Sequence, residues 1–541
     1  MKRSLGLFCC LCLFVVSCKN SGPPPDIFDI PKDIPKDIPE HIPGNTAHGS
    51  ANTYTGHFLY GSNMGWLNSH WKDEDIADIL TGNESRGQEG VGANSLRPAL
   101  PEHFVETWGY DNKVGTFQHY AAQGAKHNVV FIGDGPCELH REKRQYAPGL
   151  NSQSYENLYA PIWTDTGSGR SVNEQNPYAM YVYKLVQNYK NHVKFWEIKN
   201  EPDFTHSSCG WAGPQSECNW WDRDPLPEEL VNWHAPIQSY VRMLRVSYEV
   251  IKSVDPTAYV CVGGIGYESF LDAILRNTDN PDKGRVTERH PLQGGAWFDC
   301  LSFHIYPMYS LRYWGEGGWN FFRHSDGAVG VVQNQSNTYG ALLKKYGYGL
   351  EFPSKEVIVT ETNLPGKRIG EFVGSEEAQR NYLMKLAVVG QKQQIRGIYP
   401  FGVWDNKERS AEGGEYDFMG FYKPLPETPA GALRPNASAR GWKTTSKWLR
   451  GRSYDEEETQ RLVLPAGVEG GAFYSEGTQD YVYVLWAKTT QDLSEEASLA
   501  YTFPASMNVQ EMSCVDWKEA PTHIPGNTLQ LGGAPVFVKI K

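Results

Sequence analysis

The sequence predicts an α/β fold: a (β/α)₈ barrel followed by a C-terminal β-sandwich. Three observations carry that expectation. Between about residues 56 and 450, eight short apolar runs alternate with longer amphipathic segments. Strand, crossover helix and parallel strand, repeated that often, is the pattern of such a barrel. Past residue 461 the spacing tightens into short β-rich runs, which suits a small sandwich. Finally, the stretch Phe195–Phe204 runs from apolar and aromatic residues directly into Asn200-Glu201-Pro202. Proline lacks an N–H and fixes φ, so a strand is expected to stop there with a carboxylate at its C-terminal tip. A doubly wound open sheet shares the alternation, so the strand ends have to decide.

Taken in order, the chain starts with a basic Met1-Lys2-Arg3 and a short apolar run from Leu5 to Val16. That run is too short to span a bilayer and reads as a signal peptide over 1–18. Its end, Val15-Val16-Ser17-Cys18, resembles the lipobox of bacterial lipoproteins. The resemblance implies that Cys18 is lipidated and anchors the protein to the outer membrane or cell surface of a Gram-negative bacterium. Within residues 19–47, Asp-Ile-Pro-Lys-like units repeat with a period of four from Asp29 to Gly44, as in Asp29-Ile30-Pro31-Lys32 and Asp33-Ile34-Pro35-Lys36. Proline at that density excludes helix and sheet and leaves a semi-extended tether.

The barrel is expected over 48–452. Its strand candidates start at Phe58, Gly92, Asn128, Phe195, Tyr259, Phe298, Glu356 and Ile395. Helices are expected at Gly115–His127, Asn176–Asn191, Ile237–Ser253 and Glu376–Gln393, among others. Residues 453–461 read as an acidic loop, and 453–541 as the sandwich. Its strands are expected at Gly471–Ser475, Asp480–Lys488, Ala497–Phe503, Val509–Asp516 and Val536–Lys541. Tyr483 and Trp486 read as its core.

Composition narrows the function classes. The formal charge of −12 argues against a nucleic-acid partner, which needs concentrated Lys and Arg. Aromatics make up 13% of the chain, with 17 Trp and 30 Tyr, and such rings stack on sugar faces as well as filling cores. Six cysteines remain after Cys18, at 137, 209, 218, 261, 300 and 514, and none has paired metal-ligand spacing. No metal and no cofactor is therefore expected. Cys209 and Cys218 flank a polar loop that a disulfide would close; Cys261 and Cys300 lie in apolar runs and read as buried thiols.

In a (β/α)₈ barrel the strand ends share one site. Strand 1 delivers Asn63, with Trp66 just beyond; strand 2 delivers Arg97; strand 3 delivers Asp134. Strand 4 delivers Asn200 and Glu201, strand 6 His304 and Tyr306, strand 7 Glu361, and strand 8 Trp404. This set resembles a clan A glycoside hydrolase, with catalytic glutamates ending strands 4 and 7. Within the clan it is most similar to family 39, with families 5, 30 and 86 nearby, and the match covers roughly residues 56 to 450. The resemblance implies Glu201 as acid/base and Glu361 as nucleophile, with Arg97, Asn200, His304, Tyr306, Trp404, Asn63 and Trp66 around the substrate.

The chemistry agrees with those residue types. Cleavage with retention needs one carboxylic acid to protonate the leaving oxygen and one carboxylate to attack the anomeric carbon. Glu201 then needs a raised pKa, which a neighbouring carboxylate would supply. Tyr306 is placed to orient Glu361, Arg97 to hold it ionised, and Asn200 to meet the sugar 2-OH. Glu197 falls on the same strand face as Glu201 and receives no role, and Glu356 belongs at the opposite end of the barrel. Loop aromatics add candidate sugar contacts: Trp66 and Trp71 with His70; Trp211, Trp220 and Trp221; Tyr309, Tyr313, Trp314 and Trp319. A basic cluster for sulfate or uronate is not evident, although Arg141, Lys143 and Arg144 after strand 3 could form one.

The expected protein is a monomeric retaining β-glycoside hydrolase, endo-acting on a β-linked polysaccharide too large to import. An exo-acting enzyme of the same clan and an inactive glycan-binding lipoprotein are the alternatives. The presence of every matched polar residue speaks against the last.

Overall fold

The computed structural model describes residues 53–64, 70–166, 169–205, 229 and 231–541. The signal peptide, tether and Cys18 lie outside them, as do Trp66, Trp211, Trp220, Trp221 and the Cys209–Cys218 pair. Among the described residues no helix is long and apolar enough to cross a membrane.

Eight parallel strands form the barrel: β1 (Leu59–Asn63), β2 (Ser95–Arg97), β3 (Asn128–Ile132), β4 (Val193–Ile198), β5 (Tyr259–Val262), β6 (Cys300–Ile305), β7 (Glu356–Thr362) and β8 (Ile395–Pro400). They pair in the order β2-β1-β8-β7-β6-β5-β4-β3. A parallel bridge between Ala99 and Phe131 joins the two ends, with the Leu100 N–H donating to the Phe131 carbonyl and the Phe131 N–H to that of Pro98. This seam makes the sheet a barrel and not an open doubly wound sheet.

The crossover helices follow the apolar spacing. Helix Pro177–Tyr189 begins at Asn176, whose side chain accepts from the Ala179 N–H, and Glu376–Lys392 begins at Ser375, which caps Ala378 likewise. Ile237–Val254 matches its expected span. The helix expected to reach His127 covers only Val114–Ala122. Gly124 follows with φ +98°, a left-handed conformation that ends the helix.

The barrel interior changes character along its axis. Its lower layer is apolar: Leu59, Val129, Phe195, Tyr259, Ile358 and Tyr399 pack together, plugged from below by Tyr54. The Tyr54 N–H donates to Glu356, which also accepts from Arg396, placing Glu356 at this lower end as expected. Cys261 and Cys300 lie opposite each other in register, both buried and free. Above them the interior turns polar with Glu197, Ser302, Thr360 and Arg97, all buried. An apolar floor under a polar mouth is what allows charged groups to be held rigidly at the top.

After the last barrel helix, Ala437–Leu449, comes a six-stranded antiparallel sheet ordered Ser453–Asp455, Val468–Ser475, Asp480–Ala487, Val536–Ile540, Glu511–Val515, Pro521–Pro525. The ribbon Ser498–Thr502/Thr528–Gly532 contributes Tyr501, Leu529 and Leu531 to a core shared with Tyr483 and Leu485. Three features differ from the sequence expectation. Residues 453–461 are a short strand and the helix Glu456–Arg461, because Asp455 caps the Glu458 N–H and acidic residues suit a helix N-terminus. The strand Pro521–Pro525 tolerates two prolines because it is an edge strand. Thr528–Gly532, too polar to stand out by itself, is a strand by virtue of its partner Ser498–Thr502.

A buried polar seam joins barrel and sheet. Asp326 accepts from Lys385 Nζ (2.7 Å), Trp486 Nε1 (2.9 Å) and the Thr489 N–H (2.7 Å). Trp486 thus packs as core while its indole N–H is satisfied across the seam. Asp326→Ala leaves the fully buried Lys385 ammonium without its counter-charge, and should cost about 3–5 kcal/mol. Urea unfolding of Asp326→Ala and Asp326→Asn checks this, with Asn, which keeps one acceptor oxygen, losing less.

Candidate active site

The site begins with backbone strain. Strand β4 ends at Ile198, four residues before Pro202, and not at the proline. Lys199 (φ +68°) and Glu201 (φ +47°) both adopt left-handed backbone. Two non-glycine residues with positive φ within three positions store strain that the surroundings must hold. The Lys199 N–H donates to the Ile132 carbonyl (2.7 Å) and the Glu201 N–H to that of Gly263 (2.8 Å). Gly263 has to be glycine: a Cβ there would lie 2.2 Å from the Ile198 oxygen. At Gly264 a Cβ would lie 2.3 Å from His304 Nε2. The two glycines after β5 make room for the strained turn and for the histidine beside it.

Arg97 is the hub. Its buried guanidinium donates Nε to Glu197 Oε2 (2.7 Å), Nη1 to Glu361 Oε1 (2.7 Å) and Asn63 Oδ1 (3.0 Å), and Nη2 to Asn200 Oδ1 (2.7 Å). It also lies over the Phe131 ring, 4.6 Å from its centroid. Glu197 therefore has a definite place: it is the buried counter-ion of Arg97, and its Oε1 accepts from Thr360 Oγ1 (2.8 Å) and from Ser302 Oγ. Asn63 is spoken for at both ends, since its Nδ2 donates to the Thr360 carbonyl (3.0 Å). It positions Arg97 instead of facing a substrate. Asn200 has its oxygen engaged, so its Nδ2 is the end that remains for a substrate hydroxyl.

Glu361 accepts from Arg97 on one oxygen and from Tyr306 Oη (2.7 Å) on the other. Two donors, one of them cationic, suit an ionised carboxylate with a fixed orientation. Glu201 lies in a different setting. Its Oε1 is 2.8 Å from His304 Nδ1, and about a quarter of its side chain is open to the cleft. His304 Nε2 is buried with no hydrogen-bond partner among the described residues. A lone pair there costs less than an orphaned N–H, so the proton belongs on Nδ1 and is donated to Glu201. Burial holds the His304 pKa down to about 4, keeping the ring neutral.

The Glu201 pKa is pushed up to about 7, mainly by burial, with the charges of Asp134 and Glu197 adding to it against the pull of Arg97. Neighbouring carboxylates do raise it, as expected, and they are Asp134 and Glu197, but desolvation is the larger cause. Since folding raises this pKa from 4.5, the folded state keeps a proton that the unfolded chain releases. The stability this group contributes must fall as pH rises between about 4.5 and 7. The loss is at most about 3 kcal/mol, reduced by water reaching the exposed quarter of the side chain. Glu201→Gln should therefore raise the melting temperature at pH 8 and leave it nearly unchanged at pH 4, as read by thermal unfolding at both pH values.

Ligand-type atoms of Glu201, His304 and Glu361 all lie within 4.8 Å of one another. The two carboxylates thus face each other across the barrel mouth at the close separation associated with retaining chemistry, well short of the wider gap that inversion needs. The loop after β3 brings Asp134 to this mouth, 3.8 Å from the buried Lys199 ammonium. Buried Glu102 pins that loop, accepting from the Cys137 N–H (2.8 Å) with His140 Nδ1 at 2.7 Å.

Other expected contacts are placed differently. Trp71 is buried and donates its indole N–H to the Pro426 carbonyl (3.0 Å), so it packs the β1 loop. Arg141 is tied to Glu138 and to the Ser152 carbonyl, and Lys143 lies 3.7 Å from Glu156. They do not form a free basic cluster with Arg144. Trp404 lies past the end of β8, half-buried and bridged to Tyr422.

Sequence reasoning missed Tyr416 and Phe401. Tyr416 stacks edge-on against Tyr306, with ring centroids 5.0 Å apart, and Phe401 stands 5.9 Å from Tyr306. Burial, joined by the charges of Glu201, Glu415 and Glu361, raises the Tyr416 phenol, which stays protonated beside the pair. It comes from the short helical turn Glu415–Phe418, which carries no strand pattern to mark it. Phe401, directly after β8, was visible as a strand-end aromatic.

No family model matches the sequence, and no curated protein does. Among solved structures, a family 39 glycoside hydrolase from the gut symbiont Bacteroides cellulosilyticus WH2 is similar at TM-score 0.54 and 16% identity, over 90% of this chain and 81% of that one. A glucosidase from Croceicoccus marinus aligns at TM-score 0.49 and 13% identity, over 91% and 98%. The catalytic domain of the family 30 xylanase C from Talaromyces cellulolyticus aligns at TM-score 0.49 and 12% identity, over 90% and 98%. At 16% identity the likeness to the family 39 enzyme is one of fold: a (β/α)₈ barrel with an attached β-sheet domain.

Proposed function

We propose that this chain is a retaining β-glycoside hydrolase, endo-acting on a β-linked polysaccharide, with Glu201 as acid/base and Glu361 as nucleophile. One observation carries the proposal: two carboxylates held close together across the barrel mouth in opposite electrostatic settings. Glu361 is gripped by Arg97 and Tyr306. Glu201 is raised to about 7 by burial and so keeps a proton to give.

In the first step a Glu361 oxygen attacks the anomeric carbon as Glu201 passes its proton to the glycosidic oxygen. The bond to the leaving sugar breaks, and that sugar departs as an alcohol. The glycosyl ester leaves Glu361 uncharged and Glu201 ionised. Glu201 then takes a proton from water, the hydroxide attacks the same carbon, and the Glu361–sugar bond breaks. Two inversions give net retention. His304 Nδ1–H holds one Glu201 oxygen throughout, leaving the other to carry the proton. Asn200 Nδ2 is placed to meet the 2-OH.

The same reading includes residues 1–18 as a signal, Cys18 as the lipidated anchor residue, 19–47 as a tether and 453–541 as an accessory sandwich. It takes the enzyme to act as a monomer at the outer membrane or cell surface. A screen of soluble β-glucan, xylan, mannan and galactan, with product lengths followed over time, tests the function. Early mixed-length oligosaccharides are expected. Monosaccharide alone would make the enzyme exo-acting, and no product on any polymer would remove the hydrolase reading.

A further inference from the structure

Five of the six exposed aromatic side chains among the described residues are gathered on one side of the barrel mouth: Tyr309, Tyr313, Trp314, Trp319 and Tyr416, with Trp108 the sixth elsewhere. Solvent-facing aromatics that cluster in this way call for an occupant, whereas scattered ones do not.

Three of them stand on an antiparallel ribbon, Arg312–Gly315 paired with Gly318–Phe321, which follows β6 and Tyr306. The register sets Trp314 directly opposite Trp319, with ring centroids 5.4 Å apart and planes nearly perpendicular. Strand alternation puts Arg312 on the same face, and its guanidinium lies over Trp319, 4.6 Å from the ring centroid. One ribbon face is therefore a pair of indoles, 70% and 50% exposed. Isolated two-stranded ribbons are marginal in water, and this one keeps its largest apolar groups uncovered.

The ribbon is continuous with the catalytic pair. Tyr306, which donates to Glu361, is stacked on Tyr416, whose hydroxyl lies 3.3 Å from that of Tyr309. Tyr309 meets Phe372 edge-on at 5.1 Å, and the neighbouring Glu371 accepts from Arg312 (3.4 Å) at the ribbon's base. A line of rings thus runs from the reacting centre out to the two indoles.

We propose that this line is a polysaccharide track, on which a neutral β-linked chain lies with sugar faces on Trp314 and Trp319 while a bond inside the chain reaches Glu201 and Glu361. The inference rests on the hydrolase reading and deepens it by naming the polymer's charge class and its exit side. The occupant is taken as neutral because the cations at the track are paired, Arg312 with Glu371 and Arg323 with Asp492, while Glu316 at the ribbon turn and Glu415 beside Tyr309 add negative charge. A sulfated or uronate polymer would be repelled. Four-residue strands give a ribbon about 13 Å long, enough to contact more than one sugar.

The test uses the full chain carrying Glu361→Ala, so that bound polymer is not cut, in affinity gels containing mixed-linkage β-glucan, xylan, galactomannan or, as the anionic arm, alginate. A neutral polymer should retard it. Adding Trp314→Ala and Trp319→Ala should weaken that retardation about tenfold at an unchanged unfolding midpoint. Trp314→Ala alone, at the more exposed indole, gives a second reading. Retardation indifferent to the indoles, retardation by alginate alone, or none by any neutral polymer overturns the track. So does loss of a dimer on removing the indoles, which would make the ribbon a contact between copies. Turnover by the parent chain is measured alongside. Turnover with indole-independent binding overturns the track alone, and indole-dependent binding without turnover overturns the hydrolase reading alone.

Discussion

Glu361→Ala is expected to lower kcat on β-linked substrates by a factor on the order of 10⁵ or more, with the chain still folded. In the proposed mechanism the substitution removes the group that forms the glycosyl ester, and among the described residues no second carboxylate takes its place. Glu201 is held by His304, and Glu197 is sealed beneath Arg97 with all its acceptor capacity engaged. Folding should survive because Arg97 keeps Glu197, Asn63 and Asn200. The shortened side chain leaves room for azide at the vacated carboxylate. With an activated aryl glycoside, azide should restore turnover and give the α-glycosyl azide, since one displacement inverts the centre. Azide with Glu201→Ala should instead give the β-product, formed by attack on the ester of an intact Glu361. The two products, separated by NMR, assign the roles independently of rate. Undiminished turnover by Glu361→Ala would exclude it from the reaction.

Arg97→Met should be the most destabilising substitution at the site, at about 3–5 kcal/mol, a large part of the total for a typical domain. The guanidinium is the shared partner of Glu197, Glu361, Asn63 and Asn200, and only 1% of its side chain is exposed. Removing it leaves Glu197 as an uncompensated charge within the barrel. The cost lies in that orphaned carboxylate, so adding Glu197→Gln should recover much of the stability. It should recover little of the activity, because Glu361 and Asn200 still lack the donor that orients them. A double-mutant cycle in urea, with kcat measured on the same four proteins, separates the two effects. Equal recovery of stability and rate would contradict this account.

In the catalytic region the pH dependence follows from Glu201. The acid role proposed for it requires the protonated form, so kcat/KM should fall as pH rises through about 7. The strained turn that carries Glu201 is held by the Ile132 and Gly263 carbonyls, whereas burial and the charges of Arg97, Asp134 and Glu197 set this pKa.

Much of the architecture was legible because its signals are local. Each of the eight strands overlaps a run picked out in the sequence, although positions lining the mouth, Arg97 in β2 and Glu197 in β4 among them, are polar. Helices at 177–189 and 376–392 lie within the spans expected from their apolar spacing, and the structure adds the Asn176 and Ser375 caps that start them. Glu201, Glu361, Arg97, His304 and Tyr306 could be picked out because barrel strands deliver their ends to one place. Elements with weak local signals escaped: the edge strand Pro521–Pro525, the helix Glu456–Arg461, and Tyr416 on a short turn.

By itself, the sequence determined the strand count, the strand-end residues and their order around the mouth. These depend on periodicity and on where apolar runs stop. Only the tertiary structure decided which polar groups touch. It made Asn63 a holder of Arg97, gave Glu197 its place as a buried counter-ion and turned Trp71 into packing. It also put desolvation ahead of neighbouring charge in raising Glu201. The physical reason is that hydrogen-bond partners and burial depend on distances between residues far apart in the chain. Arg97 and Glu361, 264 positions apart, meet at 2.7 Å only because the barrel closes.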